Sequence, residues 1–121
     1  MMEIAREQLN PEWKTGEAIV LETYPGEYCY LAIPDFQDLD VREPLEKDLL
    51  ECLISWKYTR VLHCLCVISG GDLMIPSGNL CRRLVEIDSR NLNAEVFLWG
   101  GGEDILVKPL SALLPPQHST C

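Results

Sequence analysis

The chain has 121 residues, 47% hydrophobic and 24% charged, a composition that fits one globular domain and excludes wholesale disorder. Its formal charge of −9, from 10 Lys and Arg against 19 Asp and Glu, lacks the basic footprint that a phosphate backbone requires. No apolar run approaches the roughly 20 residues of a membrane span, and Met1-Met2-Glu3-Ile4-Ala5-Arg6 lacks the order of a signal peptide, so a cytoplasmic or nuclear protein is expected.

Residues 1–12 read as a polar lead-in, irregular or helical, ending near Asn10-Pro11. Glu17 to Thr23 predicts a strand, Pro25-Gly26 a turn, and Tyr28 to Ile33 the partner strand of a hairpin. An acidic stretch from Asp35 to Asp48 then carries the clearest helix, in which Leu45, Leu49, Cys52, Leu53 and Trp56 form one apolar stripe. Pro44 suits the first turn of that helix, and acids there face the positive end of its dipole. Asp35, Asp38 and Asp40 lack the spacing and turn glycine of a calcium loop.

The run Arg60 to Ile68 predicts a buried strand, with Gly70-Gly71 and Pro76-Ser77-Gly78 breaking the chain on either side of Leu73-Met74-Ile75. Residues 80–88 fit two patterns: Leu80, Leu84 and Ile87 a helix, or Cys81, Arg83, Val85 and Ile87 a strand. Ala94 to Trp99 and Asp104 to Val107 read as strands around the glycine turn Gly100 to Gly102, followed by a helical turn over Leu110 to Leu114. The tail, 117–121, is expected to fray.

Chemistry-bearing residues are sparse. Of the six cysteines, Cys29, Cys52, Cys64, Cys66 and Cys81 lie in apolar stretches and Cys121 ends the chain; no Cys-x-x-Cys pair exists, so reduced, metal-free thiols are expected. His63 sits in an apolar strand and His118 in the tail, Ser77 lacks the Gly-x-Ser-x-Gly elbow, and the glycine triplet lacks the lysine of a phosphate loop. No catalytic residue and no cofactor is expected on these grounds.

Residues 84–115 resemble a Tudor domain in the order Leu84-Val-Glu-Ile-Asp88, a polar turn, Ala94-Glu-Val-Phe-Leu-Trp99, a glycine turn, Asp104-Ile-Leu-Val107 and Leu110-Ser-Ala-Leu-Leu-Pro115. The resemblance implies an α+β chain whose N-terminal β-hairpin and amphipathic helix pack on a C-terminal SH3-like, Tudor-type small β-barrel. It resolves 80–88 as a strand and divides the chain into a lead-in (1–12), hairpin plus linker helix (13–58), barrel (60–116) and tail (117–121). Extended Tudor domains share the order hairpin, helix, barrel.

Tudor domains enclose methylated cations in aromatic cages. Phe97 matches the family's strand aromatic, and Trp99 and the acidic pair Glu103-Asp104 complete the implied ligand-binding set; Leu80, Gly100 and Gly102 stand where the family has other cage and turn residues. The implied function is a non-catalytic interaction module with a degenerate cage. It would bind a protein or peptide, arginine-rich in one version, with no direct nucleic acid or membrane contact, as a monomer or weak dimer. A second reading makes 77–90 a helix, giving an order similar to STAS regulatory domains, with Pro76 where that family's phosphorylated serine stands.

Overall fold

The computed structural model describes residues 1–101 and 104–114. Helix α1 (Met2–Gln8) leads into the hairpin β1 (Glu17–Thr23) and β2 (Tyr28–Ile33), then α2 (Leu39–Trp56), β3 (Val61–Ile68), α3 (Gly78–Ile87), β4 (Glu95–Trp99) and β5 (Ile105–Pro109). One mixed sheet runs β2-β1-β3-β4-β5. Ala18 to Leu21 of β1 are buried on both faces, as a central strand with a continuous apolar run must be. β1 pairs antiparallel with both β2 and β3, whereas β3 and β4 run parallel, with His63 opposite Glu95.

That parallel step departs from the antiparallel order of an SH3-like barrel, and the sheet stays open between its edge strands β2 and β5. A parallel pair needs a crossover, and α3 supplies it. The expected SH3-like barrel, and the Tudor resemblance that led to it, are therefore corrected, among the described residues, to an open five-stranded α+β sheet with three helices. The strand expected over 80–88 is a helix. Ser77 caps it, its hydroxyl accepting from the Leu80 amide at 3.1 Å, and Leu80, Cys81 and Leu84 are buried.

The layers follow from side-chain alternation. Ile19, Leu21, Cys64, Cys66, Val96 and Leu98 face α2 and α3 in the main core, while Ala18, Val20, Leu65 and Val67 pack beneath α1. α2 is capped by Asp38, which accepts from the Asp40 amide, and stopped by Lys57 in the left-handed region (φ 64°). Its buried face is Arg42, Glu46, Leu49, Leu50 and Leu53. The expected stripe is thus rotated: Trp56 is 45% exposed, and Pro44 lies inside the helix rather than at its first turn.

Asn91 is buried between the end of α3 and the start of β3, donating to the Leu84 and Thr59 carbonyls and accepting from the Val61 amide. After Trp99 the chain reverses through Gly101, whose φ of 96° suits glycine. β4 and β5 then pair from Glu95 opposite Pro109 to Trp99 opposite Ile105. Among the described residues, no helix is long and apolar enough to cross a membrane.

Candidate functional site

The first half of α2 and the head of α3 bring together the most unusual side chains of the molecule. Arg42, 3% exposed, donates to Glu17 of β1 and to Glu46 one turn along its own helix, the latter at 3.0 Å. Glu17 and Glu46 are themselves buried. A third Arg42 contact reaches the Phe36 carbonyl at 3.4 Å. From α3, the Ser77 hydroxyl donates to Glu46 at 2.7 Å and the Asn79 amide at 3.3 Å. Among the described residues, no buried side-chain nitrogen or oxygen lacks a partner.

Taking three ions out of water is expensive, and only such complete pairing offsets it. Burial alone would lower the Arg42 pKa. Its hydrogen bond to Glu17 and the charges of Glu17 and Glu46 outweigh that and hold it above the ordinary arginine value. Buried thiols lie close by. A hydrogen bond with Cys64, burial and the charge of Glu17 push the Cys66 thiol up, and burial with the charges of Cys64 and Glu46 pushes Cys81 up to about 12.

A cleft of about 700 Å³ opens beside this network, lined by Glu43 of α2, by Gly78, Asn79, Arg82, Val85 and Glu86 of α3, and by Leu114. Asn79 belongs to both. Its amide nitrogen donates to Glu46, and its oxygen accepts from Arg82 and Arg83, each at 3.2 Å, so the carboxamide is fixed in orientation.

The residues expected to bind ligand lie elsewhere. Phe97 packs in the cluster under α1, on the other face of the sheet, and stacks on His63 with ring centroids 5.5 Å apart. Trp99 is 63% exposed, Asp104 is exposed in the turn before β5, and Glu103 lies outside the described residues, as do His118 and Cys121. His63 is half-buried rather than a core residue: Nδ1 meets Glu22 at 2.7 Å and Nε2 meets Glu95 at 3.1 Å. Because the two carboxylates take opposite ring nitrogens, they do not converge on one point.

Arg42, Glu46, Glu17 and Asn79 were missed because apolar periodicity discards charged residues. The available signal was Arg42 and Glu46 extending the 49, 50, 53 face toward the N-terminus, and Glu17 directly before the apolar run Ala18 to Leu21.

The element order and open mixed sheet are those of cytidine deaminases. The crystal structure of cytidine deaminase from Mycobacterium leprae superposes with a TM-score of 0.65 over 95% of this chain and 91% of its own, at 16% identity. That from Burkholderia pseudomallei gives 0.63 over 94% and 91%, at 19% identity, and a substituted Mycobacterium tuberculosis enzyme gives 0.62 over 94% and 85%, at 17%. No family model matches the chain, and no curated protein matches it in sequence. These likenesses establish the fold. They overturn the expected non-catalytic Tudor-type scaffold, with its methylarginine-reader cage, and the expectation that the chain is no enzyme, since the structures sharing its fold are enzymes. They give no support to the STAS-like reading, although part of its helix is present, over Gly78–Ile87.

Zinc deaminases hold their metal with His and Cys ligands in the signature His-x-Glu … Pro-Cys-x-x-Cys, the first ligand being a third Cys in some of them. Here no His or Cys is followed two places on by Glu, and the chain enters α3 as Pro76-Ser77-Gly78-Asn79-Leu80, with serine and leucine at the two cysteine positions. Ser77 is already bound to Glu46, and Glu46 to Arg42. Among the described residues, no three His, Cys, Asp or Glu side chains are grouped to hold a metal ion. The described residues at these positions do not fit zinc.

Proposed function

We propose that the chain binds a nucleobase or nucleoside, foremost one of cytosine type, in the cleft between α2 and α3. The observation that carries this reading is the fixed Asn79 carboxamide at the point where cleft and buried network meet. Around it the cleft offers a donor set, the free Asn79 N–H and the exposed Arg82 guanidinium, and an acceptor set, the Glu43 and Glu86 carboxylates. Cytosine presents the complement: N3 and O2 accept, and the exocyclic amine donates, a pairing that carboxylates make. Val85 and Leu114 supply apolar surface for a ring. Cytidine deaminases of this fold give the substrate class by analogy.

Titration of the labelled protein with cytidine, uridine and adenosine, followed by amide chemical shifts, tests the reading. Saturable shifts at residues 78–86, stronger for cytidine than for uridine and lost in Asn79→Leu, are expected. Absence of shifts at millimolar nucleoside, or shifts confined to β4 and β5, would overturn it. Ammonia release in the same samples reports turnover of the bound base.

A further inference from the structure

We infer that a buried guanidinium, Arg42, takes the place of a metal ion as the resident cation of this deaminase fold, so that the chain folds and holds its site without zinc. The inference goes beyond the proposed ligand and does not depend on it. Its starting point is Ser77. It stands at the first cysteine position of the zinc signature, yet its hydroxyl donates at 2.7 Å to a carboxylate, Glu46, which Arg42 holds at 3.0 Å. Where the signature would put a thiolate on a dication, this chain puts a serine on a carboxylate and the carboxylate on a guanidinium.

The charges are local: one guanidinium against two carboxylates, with the hydroxyl and amide donors of Ser77 and Asn79 taking up part of the excess negative charge. A metal bound by thiolates sets positive charge against negative ligands; here one guanidinium faces the two carboxylates Glu17 and Glu46, across β1 and α2. Arg42 can reach both because its planar fork offers several donors in fixed directions, which lysine cannot do. The groups facing this cluster are few: Cys66 of β3 beside Glu17, Cys81 of α3 near Glu46, the neutral Ser77 and Asn79, and the Phe36 carbonyl. Two further cations, Arg82 and Arg83, bind the Asn79 oxygen at 3.2 Å. Like a structural metal, Arg42 ties together elements distant in sequence: β1 directly, and α3 through Glu46.

The test uses the whole chain, expressed in zinc-supplemented medium. Metal analysis should find zinc far below one equivalent, and the melting midpoint should be the same with a strong chelator as with added zinc. Arg42→Met leaves two buried carboxylates without the cation that pairs them. It should lower the midpoint at neutral pH by more than about 10 °C, with recovery on acidification as the pair takes up protons. Wild type should show no such recovery. Stoichiometric zinc, a chelator-induced fall in midpoint, or an Arg42→Met protein that melts like wild type at neutral pH would each overturn the inference. Should Arg42→Met fail to fold at neutral pH, its refolding near pH 5 supports the inference, and the metal content of the wild type decides independently.

Discussion

Asn91 shows how much one polar side chain can hold. It is fully buried and its amide serves the Val61 amide, the Thr59 carbonyl and the Leu84 carbonyl at once. Asn91→Ala strands three backbone groups and should cost about 2–4 kcal/mol, measured by urea unfolding, well above an ordinary surface substitution. Its neighbour Asp88 makes a pH-dependent contribution. Its bonds with Arg90 hold its carboxyl below the usual range, against the opposing effect of burial, and Thr59 adds to the lowering. A folded pKa below the unfolded one adds stability above about pH 4 that is lost as pH falls through the folded value. Asp88→Asn should therefore be less stable than wild type at pH 7, with the gap closing as pH falls from about 5 to 2.

At the scale of elements, α2 carries a removable flaw. Pro44 is exposed within the helix, has no N–H to give the Asp40 carbonyl, and is not itself among the residues lining the cleft. Pro44→Ala should stabilise by about 1–3 kcal/mol in thermal or urea unfolding without altering nucleoside titration. α3 behaves oppositely, because its cap is also a site residue. Ser77→Ala removes a cap worth about 1 kcal/mol and strips Glu46 of a donor, so the loss should exceed that of capping alone, about 2 kcal/mol or more. Ser77→Asp keeps capping ability but sets a third carboxylate beside Glu46, and should be worse than alanine at neutral pH.

For the whole molecule, the layered packing decides thiol chemistry. Cys29, Cys64, Cys66 and Cys81 are all buried, and burial with Cys52 alongside pushes the Cys29 thiol up to about 12. Alkylation needs both access and thiolate. Brief treatment of the native protein at pH 8 should leave these four unmodified and label the half-buried Cys52 first among the described cysteines, with all reacting in denaturant, as mass spectrometry of peptides would show.

The sequence by itself determined what local physics determines. Pro25-Gly26 and the apolar runs of 17–23, 28–33 and 61–68 specify strands, and the spacing of 49 and 53 specifies a helix, because alternation and the 3.6-residue period act within a few residues. The segment 80–88 satisfied both periods and a family resemblance chose the wrong one; the structure shows a helix there, capped by Ser77. Only the tertiary structure decided that β4 lies parallel to β3, since strand direction depends on what the crossover packs against. The same holds for the site. Glu17 and Arg42 are 25 residues apart, Glu46 and Ser77 31 apart, and their burial is tolerable only because folding closes every hydrogen bond among them, a condition that no local pattern records.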